Sequence, residues 1–203
     1  SMERLGVDHI DLINVHDIEF ADLEQVCGET LPALVELREE GVVSHVGITN
    51  LTLRHFKYVI EHTPEGVVES VLSFCHYTLN DDALADYIPF FKERGIGIIN
   101  ASPYSMGLLT ERGVPDWHPA PAALQRLSRK AVDYCKAHGV AIEQLAVQFA
   151  VSNPDISTTL FSTTNPDNVL RTIKYASEPI DTELIEGVRK IFEPGYRDTW
   201  VNS

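Results

Sequence analysis

Five short apolar runs recur along the chain at the length of a β-strand. They are HIDLINVH (9–16), VVSHVGIT (42–49), ESVLSFCHY (69–77), IGIINAS (96–102) and ISTTLFST (156–163). Each is nearly continuous or alternates with period two, and as a group they are rich in isoleucine and valine. That composition is typical of strands buried on both faces of a sheet. The pattern therefore predicts five buried strands.

Helical patterns separate these runs. Apolar residues recur at helical spacing over 22–40, 52–62, 82–94, 122–138, 142–152, 166–176 and 181–192. Gly41, Gly95 and Gly139 follow three of these segments as stop signals, and Thr52 and Asp181 precede two others as start signals. The alternation of strands and helices predicts a parallel sheet of βα units, either doubly wound or part of a barrel.

The choice between these two folds depends on missing motifs. A doubly wound sheet usually carries G-x-G-x-x-G after its first strand, and the chain contains neither this motif nor a P-loop. A closed (β/α)8 barrel needs about 250 residues, so 203 residues with five strands predict part of a barrel. No linker, repeat or low-complexity segment divides the chain, and we expect residues 1–203 to form a single domain.

A long interval lies between the fourth and fifth predicted strands. It contains two consecutive helices and the proline- and tryptophan-bearing segment GVPDWHPAPAA (113–123). The segment is interpreted as an elaborated βα loop, and such loops often shape a binding pocket.

Composition excludes some classes of partner. The formal charge of −14 arises from 30 acidic and 16 basic residues without a basic stripe, which disfavours nucleic acid and anionic membranes. No apolar run approaches the roughly 18 residues of a membrane span. Cys27, Cys75 and Cys135 are odd in number and lack metal-ligand spacing. We therefore expect no metal site, no disulfide framework and a cytoplasmic location.

Four segments, in order, resemble the aldo-keto reductases: LGVDHIDLINVHD, ELREEGVVSHVGITN, GIINASPYSMGLLT and TTLFSTTNPDNVLRTI. VLSFCHYTLNDD and SPYSMGLLTERGVPDWHPA are most similar to the L-galactose dehydrogenase-like branch, which acts on aldoses at carbon 1. The resemblance implies a (β/α)8 TIM barrel that binds NAD(P) without a Rossmann motif. By this match the chain is a partial barrel, containing strands four to eight with their helices.

The resemblance also assigns a role to His16. Members of the family use a tetrad of Asp, Tyr, Lys and His, and the first three lie on strands that would precede residue 1. Only His16 matches, at the end of the family's fourth strand, where it orients the substrate oxygen. By itself a histidine here would more often be a buried residue bonded to Asp17 or to backbone. The order of the motifs favours the catalytic role.

Further matches predict the nicotinamide site. Thr49 and Asn50 match the polar pair that holds the nicotinamide carboxamide, although asparagine after a strand is also an ordinary turn residue. Ser73, or Leu72 if the register differs by one, stands where relatives carry a glutamine for the same amide. Ala101 replaces an aromatic ring that stacks on the nicotinamide in many relatives, a loss of about 0.5–1.5 kcal/mol by analogy with aromatic pairs.

Two loops match the phosphate-binding parts of the family. The first wraps the pyrophosphate, where small residues, backbone N–H groups and a close approach at glycine suit phosphate oxygens; its candidates are Ser102, Pro103, Tyr104, Met106, Gly107 and Leu108. The second precedes a helix that starts at Pro166, and hydroxyl groups with a helix amino terminus form an anion site; its candidates are Ser162, Thr163, Thr164 and Asn168. Arg171 and Thr172 replace the Glu-Asn pair that bonds adenine in relatives, and Arg171 is expected to meet a phosphate or the adenine face.

Three functional hypotheses remain open. The first is an NAD(P)-dependent oxidoreductase acting on an aldose or aldehyde such as L-galactose or L-fucose, of which this chain is a part with negligible turnover alone. The second is a catalytically inactive nucleotide-binding or regulatory module that lacks the tetrad Asp, Tyr and Lys. The third is a dimer that completes a pseudo-barrel, because a sheet with five of eight strands has open edges prone to self-association.

Overall fold

The structure is a computed structural model and describes residues 2–198 and 200. Five strands are formed: β1 Ile10–Val15, β2 Val43–Asn50, β3 Ser70–Phe74, β4 Gly97–Ala101 and β5 Thr158–Leu160. Each overlaps the segment in which the apolar pattern predicted a strand. The strands form one sheet in the order β1-β2-β3-β4-β5, and β2 pairs in parallel with both β1 and β3. The predicted α/β class is confirmed.

Nine α-helices are formed in the described part of the chain. They are α1 Met2–Leu5, α2 Leu23–Gln25, α3 Leu31–Glu39, α4 Leu53–Glu61, α5 Ile88–Glu93, α6 Ala122–Ala137, α7 Ile142–Ala150, α8 Pro166–Ser177 and α9 Thr182–Phe192. Short 3₁₀ turns lie at Ile18–Phe20, Ala83–Asp86, Ser105–Gly107 and Glu193–Gly195.

Proline divides two of the helices that the periodicity predicted as continuous. The segment 22–40 contains α2, a π-helical stretch Val26–Thr30 and α3, with Pro32 in the first turn of α3. Proline has no N–H and its ring clashes with the carbonyl four residues before it, so a regular α-helix cannot pass through this point. Pro89 likewise lies in the first turn of α5, after the 3₁₀ turn Ala83–Asp86.

The predicted helix-end signals are present. Gly41, Gly95 and Gly139 adopt positive φ angles of 77°, 66° and 71°, the left-handed conformation that ends a helix cheaply only at glycine. The Asp181 side chain accepts a hydrogen bond of 3.0 Å from the Leu184 N–H and caps α9.

Two compact units make up the described chain. The first comprises the chain up to Ser73 together with Tyr87–Ile99, and the second comprises Phe74–Asp86 and the chain from Asn100 onward. In the first unit Phe56 and Phe91 are fully buried and meet edge to face at 6.1 Å. In the second, Leu124, Leu145 and Phe192 are buried among its helices. That residues 1–203 form one domain stays a prediction.

No helix in the described range is long and apolar enough to cross a membrane. The cytoplasmic location inferred from the cysteine pattern stays a prediction.

The register of the first three strands leaves no room for a side chain at one position. Asn14 is opposite Gly47, which is opposite Ser70. A Cβ atom on Gly47 would fall well inside van der Waals contact with Asn14 Oδ1 and Ser70 Oγ. Glycine is therefore required here for the close approach of neighbouring side chains rather than for its backbone freedom.

We predict that Gly47→Ala lowers the free energy of unfolding by about 1–3 kcal/mol, because Asn14 and Ser70 must move to admit the methyl group. Urea denaturation of the two proteins measures the difference. Gly28→Ala is the matched control, since a Cβ at Gly28 meets no atom within 4 Å. Equal losses in the two variants would contradict the packing argument.

Candidate functional site

His16 follows β1 directly and its side chain is 81% exposed. Its Nδ1 atom lies 3.4 Å from Asp17 Oδ2, a separation at which an exposed pair contributes little to stability. The alternative of a buried, internally satisfied histidine is therefore excluded. The exposed imidazole at the end of a parallel strand is available to a ligand.

Thr49 and Asn50 hold the segment that follows His16. Thr49 Oγ1 accepts a hydrogen bond of 2.8 Å from the Asp17 N–H. Asn50 Oδ1 accepts one of 2.9 Å from the Glu19 N–H, and Asn50 Nδ2 donates one of 2.7 Å to the Thr52 carbonyl. Asn50 is 0% exposed, and both polar atoms of its side-chain amide bond to backbone groups. The contact of this pair with a carboxamide stays a prediction.

Ser73 lies opposite Asn50 in the sheet and is fully buried. Its Oγ atom has no hydrogen-bond partner within the described residues. Leu72, the other residue considered for this position, is opposite Thr49 on the other face. The first unit thus brings His16 and Thr49 to the carboxyl ends of adjacent strands. His16 is exposed there, whereas Thr49, Asn50 and Ser73 are buried.

The second unit contains a cavity of about 750 Å³, within the range of small-molecule and cofactor sites. Nine of the predicted coenzyme-binding residues line it: Ser102, Pro103, Tyr104, Met106, Gly107, Ser162, Thr163, Asn168 and Arg171. These residues come from the loop after β4, the segment after β5 and the start of α8. Two separate stretches predicted to bind phosphates are therefore brought together.

The loop after β4 has an unusual backbone. Ser102, Ser105 and Met106 adopt positive φ angles of 60°, 50° and 56°, and non-glycine residues in this region cluster at functional sites. Tight turns hold them, with the Ser105 N–H donating to the Ser102 carbonyl at 2.8 Å and the Gly107 N–H donating to the Tyr104 carbonyl at 3.0 Å. The N–H groups of Ser105 and Gly107 are therefore used inside the loop.

A relay of hydrogen bonds fixes the polar groups at the start of α8. Asn168 Nδ2 donates to Thr163 Oγ1 at 3.0 Å, and Arg171 Nη2 donates to Asn168 Oδ1 at 2.5 Å. The Asn165 N–H also donates to Thr163 Oγ1, at 3.2 Å. Because the Thr163 hydroxyl accepts both bonds, its own hydrogen remains free to donate to an anion. The relay therefore orients one hydroxyl donor and one guanidinium.

Tyr104 and Thr172 connect the two walls of the cavity. Their hydroxyl groups hydrogen-bond at 2.7 Å, and the Tyr104 ring meets Phe161 edge to face at 6.4 Å. Burial raises the pKa of Tyr104, opposed by the hydrogen bond with Thr172. The Tyr104 phenol is therefore neutral. Its hydrogen bond with Thr172 holds the loop after β4 against α8.

Two residues of the predicted phosphate-binding loops lie outside the cavity lining. Leu108 is fully buried, and its N–H donates to the Ser105 carbonyl at 3.1 Å while its carbonyl accepts from Ser128 Oγ. Thr164 is exposed but does not line the cavity. The Leu108 side chain therefore packs in the core and does not line the cavity.

The cavity also contains residues that sequence reasoning did not select. They are Thr110, Arg112 and Glu143. Gly113, Pro115 and Trp117 belong to the segment 113–123, so the expectation that this elaborated loop shapes a pocket is confirmed. Glu143 lies in the first turn of α7, and no local motif marks it.

His118 ties this elaborated loop to the loop after β4. Its Nδ1 atom accepts a hydrogen bond of 3.0 Å from the Ala120 N–H, so Nε2 carries the hydrogen and donates to the Ser105 carbonyl at 3.1 Å. The Trp200 ring packs against the imidazole at 4.7 Å. Burial lowers the pKa of His118, opposed by its bond to Ser105. The neutral form of His118 is thus buried between the two loops that it joins.

We predict that stability falls as the pH drops below about 6.5, the ordinary pKa of histidine. Below that value the unfolded chain gains a proton at His118 that the folded chain binds only at lower pH, because the folded-state pKa is lowered. This one group contributes a slope of at most about 1.4 kcal/mol per pH unit. Urea denaturation between pH 5 and 8 measures it. His118→Gln, which cannot titrate, should flatten the curve below pH 6.5, and superimposable curves for the two proteins would contradict the prediction.

Among the described residues, no group of three or more His, Cys, Asp or Glu side chains could hold a metal ion.

Comparison with known proteins gives consistent results. The family model described as "Aldo/keto reductase family" matches residues 1–193. L-galactose dehydrogenase of Arabidopsis thaliana is 43% identical over 98% of this chain and 64% of its own length. D-arabinose 1-dehydrogenase of Saccharomyces cerevisiae is 30% identical over 75% of the chain and 47% of its own length.

Solved structures agree on the fold. The holo form of aldo-keto reductase AKR11C1 from Bacillus halodurans superposes with a TM-score of 0.76 at 19% identity, covering 100% of this chain and 64% of that protein. The predicted fold class, an α/β fold of the aldo-keto reductase type, is confirmed, and it is consistent with a partial TIM barrel. The chain spans less than two thirds of the length of each of these relatives. Because the family model matches residues 1–193, the chain belongs to the aldo/keto reductase family.

Proposed function

We propose that the chain forms the larger part of an NAD(P)-dependent oxidoreductase that transfers hydride between a nicotinamide and an aldose or aldehyde, such as L-galactose or L-fucose. One observation carries the proposal: nine residues matched to the family's dinucleotide site line one cavity of about 750 Å³. The L-galactose and D-arabinose dehydrogenases among the relatives support the sugar substrate.

The residues of the cavity fit a dinucleotide. The guanidinium groups of Arg112 and Arg171 suit the two charges of a pyrophosphate. The Thr163 hydroxyl retains a hydrogen for a phosphate oxygen. Tyr104, Trp117 and Phe161 supply aromatic and apolar walls for the remainder. When bound, the nicotinamide supplies or accepts the hydride.

His16 is proposed to orient the substrate oxygen. Hydride transfer at carbon requires a proton to move on the attached oxygen, and an exposed imidazole N–H donates a hydrogen bond to that oxygen. Thr49 and Asn50 hold the backbone after His16 in place. The Asp, Tyr and Lys that the family resemblance implies would complete the proton transfer.

Self-association through open sheet edges remains part of the proposal. β1 and β5 are the terminal strands of the sheet. On β5 and α8, Leu160, Leu170 and Ile173 are 45%, 69% and 56% exposed. We propose that these side chains pack against further protein.

The first test is coenzyme binding to the full chain. Titration with NADH or NADPH should quench tryptophan fluorescence, because Trp117 lines the cavity. Arg171→Ala should weaken binding about tenfold through loss of a charge-assisted bond to phosphate. Arg129→Ala, an exposed arginine on α6 that does not line the cavity, is the matched control. Absence of binding by the unaltered chain would refute the proposed function.

The second test separates catalysis from binding. The chain alone should show negligible turnover of L-galactose with NAD or NADP. A chimera that supplies the part of L-galactose dehydrogenase outside the matched region should restore it, and His16→Ala in the chimera should lower kcat about 100-fold.

Three results would change this interpretation. Turnover by the unassisted chain that His16→Ala abolishes would contradict its dependence on further strands. Turnover that appears only at concentrations where the chain dimerises would favour the pseudo-barrel. Coenzyme binding without turnover by the chimera, over a panel of carbonyls and sugars, would favour the inactive nucleotide-binding module.

A further inference from the structure

The segment that follows α9 is tied to the 3₁₀ turn Ala83–Asp86 and the residue before it by one arginine. Arg197 Nε donates a hydrogen bond of 2.7 Å to Asp82 Oδ1. Its Nη1 and Nη2 atoms donate bonds of 2.6 Å and 3.2 Å to the two carboxylate oxygens of Asp86. Because the fork of a guanidinium meets a carboxylate at two points, this pair fixes the orientation of the segment as well as its distance.

Further contacts hold Arg197 and Asp82 in this arrangement. Arg197 has a φ angle of 62°, a left-handed conformation that persists in a residue other than glycine only where its surroundings impose it. Its N–H donates to the Asn80 carbonyl at 3.0 Å. Arg189 Nη2 donates to Asp82 Oδ2 at 2.8 Å. Although burial raises the pKa of Asp82, the hydrogen bonds that it accepts outweigh this effect, so its pKa lies below the ordinary value and the carboxylate is charged at neutral pH.

Trp200, three residues beyond Arg197, packs against His118. The two rings meet edge to face, with centroids 4.7 Å apart. His118 is 6% exposed, and its Nε2–H donates to the Ser105 carbonyl at 3.1 Å. The segment after α9 is therefore connected to the loop after β4 through one ring contact and one hydrogen bond.

Ser105 lies in the part of this loop that forms the cavity wall. Tyr104 and Met106, its neighbours in the chain, both line the cavity. The Leu108 N–H donates to the same Ser105 carbonyl at 3.1 Å. Since Ser105 and Met106 have positive φ angles, this turn needs contacts from its surroundings to persist. The hydrogen bond from His118 is one of these contacts.

We propose that Arg197 is a positioning residue for the cavity, although it does not line the cavity itself. Its ion pairs with the two aspartates fix the segment after α9 and so place Trp200 against His118. His118 then holds the turn at Ser105 in the form that a ligand in the cavity meets. The effect on coenzyme binding rests on the proposed function. The effect on the loop does not.

Amide hydrogen exchange of the full chain without coenzyme tests the effect on the loop. Arg197→Ala should speed exchange of the Ser105, Gly107 and Leu108 N–H groups about tenfold, because these groups bond within the turn that His118 would no longer hold. Arg129→Ala, which removes an exposed arginine from α6, is the matched control. Its exchange rates in the loop should equal those of the unaltered chain.

Two further measurements distinguish positioning from a general loss of stability. Burial lowers the pKa of His118, so NMR titration of its imidazole in Arg197→Ala should show the pKa rising toward the ordinary value of about 6.5, because Trp200 no longer covers the ring. NADH binding should weaken about tenfold. Arg129→Ala should change neither quantity. Asp86→Asn, at a side chain that is 60% exposed, removes one partner of Arg197 and should shift both quantities in the same direction by a smaller amount.

The outcomes separate this inference from the proposed function. Equal loop exchange in the unaltered chain and Arg197→Ala, or an unchanged His118 titration, would overturn the inference. Faster loop exchange with unchanged NADH affinity would limit Arg197 to a structural role and would also overturn it. Binding of neither NADH nor NADPH by the unaltered chain would refute the proposed function, and loop exchange with the His118 titration would then decide whether Arg197 positions the loop. If thermal unfolding shows that Arg197→Ala does not fold, Asp86→Asn decides by the same comparisons.

Discussion

The hydrogen bond between the Tyr104 and Thr172 hydroxyls holds the loop after β4 against α8, and the cavity exists between these two walls. Burial keeps the Tyr104 phenol neutral by raising its pKa, so the bond persists across the physiological pH range. The loop contains Ser102 and Ser105 in the left-handed conformation, which is costly for residues other than glycine. The groups of the loop and those of α8 line the same cavity.

Polar groups at the start of α8 and after β1 are positioned in similar ways. In each case a side chain that accepts backbone N–H groups holds a neighbour in place. Thr163 accepts from Asn165 and Asn168 and thereby orients Arg171. Thr49 and Asn50 accept from the backbone at Asp17 and Glu19, directly after the exposed His16. Residues matched to ligand contacts thus also hold the local backbone in place. A substitution at Thr49 or Thr163 would therefore change the backbone conformation as well as ligand binding.

Family resemblance and physical structure agree most closely in the second unit. Nine predicted residues line one cavity, and the elaborated loop contributes Gly113, Pro115 and Trp117 to it. Leu108 and Asn50 show why motif matching is incomplete, because both belong to matched segments yet are 0% exposed. A motif identifies a stretch of backbone, but whether a given side chain faces a ligand or the core depends on how the neighbouring elements pack. Glu143 is the reverse case, a cavity residue outside every motif.

The sequence by itself determined the order of strands and helices and most of their ends. Period-two and helical patterns reflect local burial, and the left-handed conformation at Gly41, Gly95 and Gly139 is a property of the residue itself. Pro32 and Pro89 divide two of the predicted helices, which is also a local property of the residue, although hydrophobic periodicity alone predicted continuous helices. Only the tertiary structure decided that Arg112, Glu143 and Arg171 line one cavity and that His118 joins two loops. These residues are far apart in the chain. Local sequence patterns do not report which distant residues come together, because those contacts form only when the helices pack.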